Sequence, residues 1–324
     1  MLTASMVAFS LPESDEKHLC LIDQPAQDSH FVTEIMKWSG TPFNSTQLIS
    51  RKCTDKNKHK QRKIAFQLIS ALLAKIQPDV IYTGNDRRVE FQYAMAHSPE
   101  QPIGVYIDDG TYTYLGRKTH WLKDHLLDNL VKKLSYGFWW KQPDTIGASD
   151  WIDECIVAFP KRVTPLLKQK VLKSLPENLN RTEFRELSVK CMLHYPEIVK
   201  DLPKLETLIL LPHESVFDPS MLNAIKSRLS QLTGRVGIKH HPRTKDKSFF
   251  TMVSDTELPD NIPMEVILPL LNQDCRIIGD VSTALLTTKW LRPEMDVTAI
   301  SGNQISKQWH QLLSTLGINI IGHN

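Results

Sequence analysis

Two adjacent carboxylates follow a short apolar run in the first half of the sequence. Residues 104–114 read GVYIDDGTYTY, so Asp108 and Asp109 stand directly before Gly110. One interpretation is a turn, because Asp bonds its own backbone and Gly takes positive φ freely. The other is catalytic, since a carboxylate at a strand end can act as a general base. This stretch alone favours the turn, so the choice between the two interpretations depends on the other motifs in the chain.

A second group follows the strand-like run RVGIK in the second half. Lys239, His241 and Pro242 come from the sequence KHHPRTK. His transfers protons near neutral pH, and Pro fixes the φ angle of the turn that follows. A lone His at a strand end is most often polar surface, but the neighbouring basic residues favour an anion site.

Two further signals lie beyond it in the chain. Glu265 begins an apolar helical run, where an acid in a first helical turn is ordinary dipole chemistry. Ser282 and Thr283 follow the strand-like IIGD, and hydroxyls at a helix start either cap the helix or bind phosphate.

The loop after another strand-like run carries Asn85, Asp86 and Arg87, in the stretch YTGNDRR. We interpret these residues as contacts for an acceptor or for a substrate carboxylate, with a helix cap as the equally weighted alternative.

Strand-like and helical patterns alternate along the chain, which predicts an α/β fold with parallel sheets. In such sheets ligands bind beyond the carboxyl ends of the strands, where the residues above lie. Strands are predicted at 18–23, 79–84, 103–108, 154–159, 205–211, 235–240, 275–280 and 318–323, and helices at 64–76, 120–134, 218–232 and 304–316.

A polar segment near the middle, KQPDTIGASD at 141–150, is predicted to be the linker between two Rossmann-like domains. The domains are then residues 1–150 and 151–324. A helical pattern, LTASMVAFS, precedes the first strand-like run, whereas a Rossmann-like domain opens with a strand. Either that first strand is missing from the chain, or the sheet is built without it.

Composition narrows the class of protein. The 324 residues are 41% hydrophobic and 23% charged, and no apolar run is long enough to span a membrane. Five scattered cysteines and the lack of a basic export signal predict a cytoplasmic protein with reduced thiols. The basic run at 51–63 is either a solvated helix start or a surface for a polyanion or for anionic lipid headgroups. The aromatic YGFWWK at 136–141 is either a membrane or sugar contact or a set of buried aromatic residues at a domain junction.

The order of these motifs resembles the bacterial GT-B-type sialyltransferases and polysialyltransferases. Those families share a (D/E)(D/E)G motif, an HP motif and a Ser-Ser/Thr motif, with an intervening Glu. The resemblance runs from about residue 79 to about residue 290. It implies a GT-B-like fold, in which two Rossmann-like domains face a cleft. Residues 1–150 would form the acceptor side with the catalytic base, and residues 151–324 would bind a CMP-sugar.

The resemblance also implies a role for each motif. Asp109 matches the family's catalytic base, supported by Asp108 and Gly110, and His241, supported by Pro242, acts on the leaving phosphate. Four residues would bind the donor nucleotide: Lys239, Glu265, Ser282 and Thr283. The donor would be CMP-sialic acid, transferred with inversion, and neither a metal nor another cofactor is required.

The implied acceptor is a surface glycan, either capsular polysialic acid or a lipooligosaccharide. Contact with the inner membrane or with the capsule assembly machinery is the functional interpretation of the basic and aromatic runs, and no nucleic acid is expected. Three alternatives stay open: a transferase that uses CMP-Kdo, a non-enzymatic module that binds polyanions or nucleic acid, and a metal-dependent nuclease. The nuclease needs further clustered acids, which we do not find at other strand ends.

Overall fold

The computed structural model describes residues 2–22, 30–49, 58–117, 128–177, 179, 181–216, 223, 225–227, 230–247, 254–301 and 305–322. The chain forms two units. The first consists of residues 3–28 and 42–176, and the second consists of residues 29–41 and 177–324.

Twelve strands are present in the described part of the chain, and every pairing between them is parallel. They are β1 (His18–Ile22), β2 (Ser45–Ile49), β3 (Val80–Thr83), β4 (Ile103–Ile107), β5 (Glu154–Val157), β6 (Val171–Ser174), β7 (Thr207–Leu210), β8 (Val236–Lys239), β9 (Thr256–Leu258), β10 (Arg276–Asp280), β11 (Val297–Ser301) and β12 (Asn319–Gly322).

Helices lie between most of these strands, as the α/β prediction requires. They are α1 (Leu2–Ser10), α2 (His30–Met36), α3 (Lys58–Ile76), α4 (Val89–His97), α5 (Thr111–Leu115), α6 (Asn129–Tyr136), α7 (Thr182–Cys191), α8 (Pro196–Asp201), α9 (Met264–Ile267), α10 (Thr283–Leu291) and α11 (Lys307–Thr315). None of the helices in the described ranges combines the length and apolarity that a bilayer span needs.

The second unit is built on one six-stranded sheet with the order β12-β11-β10-β7-β8-β9. The chain adds β8 and β9 on one side of β7 and then crosses to β10 on the other side. Strands β7, β8 and β11 are buried along their whole length, as expected for parallel strands covered on both faces. Ile209, Val236, Ile238 and Ile300 from these strands form a core cluster, together with Leu211, Ile225 and Ile278.

The sheet of the first unit is in two parts in the described residues. One part is the β1-β2 pair, and the other has the order β3-β4-β5-β6. Residues of β1 and β3 are half-buried throughout, whereas those of β4 are buried from its second residue onward. Helix α1 precedes β1, as the sequence predicted. Both parts nevertheless pack on one cluster, formed by Ile49, Ala65, Ile69, Leu73 and Ala94 with Cys20, Ile22, Ile81 and Tyr93 against it.

The predicted boundary at residue 150 is wrong, because the first unit continues to residue 176. Strand β5 pairs with β4, and β6 pairs with β5, so both belong to the first sheet. The predicted linker at 141–150 is also wrong, since Thr145, Ile146 and Ser149 in it are buried. The backbone N–H groups of Gly147 and Ser149 in this segment donate hydrogen bonds inside the unit.

One N-terminal segment, residues 29–41, belongs to the second unit. It contains α2, and Ile35 and Trp38 in it are buried. The ring of Trp38 lies 6.0 Å from that of Phe184 on α7. The sequence pattern did not predict that residues 29–41 belong to the second unit, because an amphipathic segment does not show which hydrophobic core it packs against.

The eight predicted strands are all present, and four others were missed. Strands β2, β6 and β9 lie at sheet edges, where a strand needs few apolar residues. The inner strand β11 is fully buried, and its sequence VTAIS fits the same pattern as the strands that were found. Parts of the predicted helices at 120–134 and 218–232, and residues 51–57 of the basic run, lie outside the described residues.

Asp86 holds the supposed linker in place and should carry measurable stability. Its two carboxylate oxygens accept the backbone N–H groups of Gly147 and Ser149, each at 2.8 Å. Asp86→Ala leaves both buried donors without a partner, so we expect a loss of roughly 3 kcal/mol in the free energy of unfolding. Urea denaturation measures it.

Asp150→Ala is the matched control. Its side chain is 79% exposed and lies 3.7 Å from the Lys141 ammonium. Such a surface pair should contribute less than about 1 kcal/mol. Equal effects of the two substitutions would show that the Asp86 hydrogen bonds do not stabilise the first unit.

Candidate functional site

The first acid of the DDG stretch is enclosed by hydrogen-bond donors. One oxygen of Asp108 accepts the N–H of Gly110 at 2.9 Å and the hydroxyl of Thr113 at 2.8 Å. The other accepts the N–H of Ala158 at 3.0 Å and the hydroxyl of Tyr114. Burial raises the pKa of Asp108, and these hydrogen bonds oppose the rise. Asp108 therefore ties the end of β4 to α5 and to the segment after β5.

The second acid is presented differently. Asp109 is exposed, and its backbone N–H donates to the hydroxyl of Tyr106 at 3.0 Å. Gly110 follows with φ of +113° and ψ of −136°, a conformation that only glycine adopts readily. The turn interpretation thus holds for Asp108 and Gly110, while Asp109 is the carboxylate that a substrate can reach.

The loop after β3 lies beside Asp109. A Cβ atom added to Gly84 would stand 3.9 Å from Asp109 Oδ1. In this loop Asn85 Oδ1 accepts the N–H of Arg87 at 3.1 Å, and both residues are half-buried. The prediction that Asp86 contacts a ligand is wrong, because its side chain is fully buried and occupied by the 147–149 backbone.

The His-Pro motif forms a turn at the carboxyl end of β8. The N–H of Thr244 donates to the carbonyl of His241 at 3.0 Å, and the N–H of Arg243 donates to His241 Nδ1 at 3.2 Å. Pro242 is exposed inside this turn, where its fixed φ suits the second position. Burial lowers the pKa of His241, and Arg243 adds to this effect.

The two adjacent histidines lie in different surroundings. His240 is 5% exposed, and its Nε2 lies 3.8 Å from Glu257 on β9. His241 is half-buried, and its ring contacts that of His213 at a centroid distance of 5.3 Å. Of the pair, His241 is the one at the carboxyl edge of the sheet that a ligand can reach.

Lys239 is the last residue of β8 and is almost fully buried. Its ammonium donates to the carbonyl of Asp260 at 2.8 Å. Burial lowers the pKa of Lys239 to about 8, while the charges of Asp260 and Glu265 oppose the shift. The half-buried Glu265 in the first turn of α9 is thus an electrostatic neighbour of Lys239.

The hydroxyl pair lies at the start of α10, directly after β10. Ser282 occupies the N-cap position, yet its side chain makes no capping hydrogen bond. It is half-buried, and Thr283 is exposed. Just before them, burial raises the pKa of Asp280 to about 6. The capping interpretation therefore does not account for Ser282, and its hydroxyl is available to an anion at this helix start.

Sequence reasoning missed His213, which follows β7 in the stretch LILLPHES. Strand β7 lies between β8 and β10 in the sheet, so its carboxyl end stands between those that carry His241 and Ser282. The signal was the one used for the other motifs, a titratable side chain directly after a buried strand. The structure thus gathers His213, His241 and Ser282 at one edge of the second sheet.

Metal ligation is not indicated by the side chains of the described residues. Within the described ranges no three His, Cys, Asp or Glu residues are grouped so that they could hold a metal ion.

Comparison with known proteins identifies the family. The family model for alpha-2,8-polysialyltransferases (POLYST) matches residues 44–301. The chain belongs to the alpha-2,8-polysialyltransferase family. It is therefore a glycosyltransferase of the sialyltransferase class, with a nucleotide-sugar donor and a glycan acceptor. The resemblance inferred from the DDG, HP and Ser-Thr motifs is confirmed at the level of the family.

Solved structures of bacterial sialyltransferases share the fold of this polysialyltransferase family member. An alpha/beta-galactoside alpha-2,3-sialyltransferase from Photobacterium phosphoreum has a TM-score of 0.59 at 12% identity, covering 95% of this chain and 99% of that one. A sialyltransferase from Photobacterium damsela has a TM-score of 0.53 at 13% identity, covering 95% and 82%. The predicted α/β fold of the GT-B type is thereby confirmed. No curated protein sequence matches the chain.

The two acids of the DDG stretch should respond differently to substitution. Asp108→Asn replaces an acceptor of four hydrogen bonds by an amide whose nitrogen cannot accept. We expect a loss of about 2 kcal/mol in the free energy of unfolding. Asp109→Asn should stay within about 0.5 kcal/mol of the wild type. Urea titrations compare the two, and the reverse order would contradict the division of roles.

Proposed function

We propose that this protein is an inverting sialyltransferase that takes sialic acid from CMP-sialic acid and needs no metal ion. The observation that carries the proposal is the exposed Asp109 beside a neighbour whose carboxylate is fully engaged. A general base has to be accessible and held in place, and the turn around Gly110 provides both.

Asp109 takes the proton of the acceptor hydroxyl in this proposal. The acceptor oxygen then forms a bond to the anomeric carbon while the bond from that carbon to the phosphate oxygen breaks. The electron pair of the broken bond leaves with CMP. One base and one displacement invert the anomeric centre, through an oxocarbenium-like transition state.

The second unit holds the donor nucleotide. His241 has its Nδ1 occupied by the N–H of Arg243, so the neutral ring carries its proton on Nε2 and can donate it to the leaving phosphate. Ser282 and Thr283 add hydroxyl donors at the helix start. Glu265 accepts from the ribose hydroxyls, and the charge of Lys239 lies next to it.

In this proposal, protein groups rather than a metal ion stabilise the negative charge on the leaving phosphate. An imidazole N–H, two hydroxyls and the N-terminus of α10 together offset the negative charge that develops there. The base and the nucleotide site are carried by the first and the second unit, respectively.

The acceptor in this proposal is a bacterial surface glycan. The family description supports a polysialic acid chain over a lipooligosaccharide as the acceptor. Exposed Lys60 and Lys63 on α3 give the first unit positive charge toward a polyanionic chain.

A surface of the first unit suits the cytoplasmic face of the inner membrane. Helix α6 has no buried residue, and Leu134 on it is 72% exposed. Phe138, two residues beyond the end of this helix, is 81% exposed, and Leu130 and Val131 on the helix are exposed as well. Arg62 and Lys132 pack over aromatic rings beside it. Apolar side chains bordered by cations are the composition of a segment that binds anionic lipid.

Transfer from CMP-sialic acid tests the enzymatic part directly. We expect the wild type to extend an oligosialic acid acceptor, with the products identified by mass spectrometry. The rate of transfer should be the same with and without EDTA. Asp109→Asn should lower that rate by about 10² to 10⁴, because an amide cannot take the proton. Its affinity for CMP, measured by calorimetry, should stay unchanged. Lactose and a lipooligosaccharide in parallel reactions define the acceptor.

Glu100→Gln on the surface of the first unit is the control and should transfer at the wild-type rate. Asp109→Asn at the wild-type rate would refute the base assignment. Loss of wild-type activity in EDTA would refute the metal-independent mechanism.

Vesicle cosedimentation tests the membrane surface. The double substitution Leu134→Ser/Phe138→Ser should weaken binding to phosphatidylcholine–phosphatidylglycerol vesicles roughly tenfold, since two apolar side chains no longer enter the interface. Leu193→Ser, which changes a residue 57% exposed in the second unit, should leave binding unchanged. Equal binding by the two variants would contradict the assignment. So would equal binding of the wild type to vesicles with and without anionic lipid.

A further inference from the structure

His213 lies at the topological switch point of the second sheet. Chain connections leave β7 toward β8 on one side, and β10 is added on the other. Ligands of open parallel sheets bind in the crevice that such a switch creates at the carboxyl ends of the strands. The residue that follows β7 into this crevice is therefore as well placed as His241 and Ser282, which follow β8 and β10.

The hydrogen bonds of His213 fix which nitrogen carries its proton. The N–H of Ser215 donates to His213 Nδ1 at 3.2 Å, and the Ser215 hydroxyl lies 2.7 Å from the same atom. With Nδ1 accepting, the neutral ring has its proton on Nε2, the arrangement inferred for His241. Two imidazoles with the same tautomer thus stand side by side, with ring planes 83° apart.

Charges around the pair favour an anionic ligand. Arg243 and Lys239 lower the pKa of His241, as does His213 itself, while Glu214 opposes them. Glu214 is engaged at one oxygen by the N–H of Lys245 at 3.0 Å, and its other oxygen lies 3.9 Å from His213 Nε2. Both imidazoles can donate an Nε2–H to one group with several acceptor oxygens.

We propose that His213 donates a second hydrogen bond to the phosphate of the nucleotide donor, beside the one from His241. This inference rests on the proposed function. His213 transfers no proton: its Nε2–H stabilises the negative charge that reaches the phosphate oxygen when the glycosidic bond breaks. The ligand class is a nucleoside monophosphate, bound through its phosphate and not through its base.

Calorimetry with CMP and with cytidine isolates the phosphate contact. The proposed function requires that the wild type binds CMP more tightly than cytidine, and its failure would appear as a wild type without this preference. With the preference present, His213→Ala should reduce the ratio of the two affinities about tenfold or more, with cytidine affinity unchanged. His310→Ala, an exposed histidine on α11, should leave the ratio unchanged.

A double variant separates a direct contact from positioning of His241. Direct donation predicts that His213→Ala/His241→Ala loses more of the ratio than either single variant. A double variant equal to His241→Ala, or an unchanged ratio in His213→Ala, would overturn the proposal. His213→Gln should restore most of the ratio, since its amide N–H can replace Nε2–H. If circular dichroism shows that the alanine variant is unfolded, His213→Leu replaces it in the same comparison, because leucine approximately keeps the side-chain volume.

Discussion

The carboxylate of Asp108 is the interaction on which the first unit's site depends. It accepts from Gly110 in its own turn, from Thr113 and Tyr114 on α5, and from Ala158 after β5. The ends of two neighbouring strands and a helix start are thereby joined at one buried group. Because both oxygens of Asp108 are occupied, the next residue is the acid left at the surface. In the proposed mechanism, the first of the two adjacent acids holds the turn in place and the second takes the proton of the acceptor.

The same local device recurs at four strand ends across the two units. In each case a side chain accepts the backbone N–H two residues later: Asp108 from Gly110, Asn85 from Arg87, His213 from Ser215 and His241 from Arg243. Such short bonds fix a loop without help from distant packing. For the two histidines they also select the tautomer, and so they determine which nitrogen of the neutral ring carries the proton.

Sequence reasoning recovered the fold and the motif positions because both follow from local pattern. Buried parallel strands have continuous apolar runs, and a polar residue after such a run lies at the ligand-binding edge. It could not tell Asp86 from Asp109, since both are acids after a strand and only the partners of each carboxylate distinguish them. It also placed the boundary at residue 150, because hydrogen bonding to Asp86 buries a segment whose composition resembles a linker. His213 was missed although its pattern was the same as that of His241.

The excursion of residues 29–41 into the second unit has a consequence for synthesis on the ribosome. Trp38 packs near Phe184, which leaves the ribosome about 150 residues later, on the order of 10 s at typical rates of elongation. Until Phe184 has been synthesised, the apolar side chain of Trp38 lacks this packing partner. Most of the chain of the first unit is synthesised during the same interval. Nascent chains of this protein should therefore depend on chaperones most during that interval.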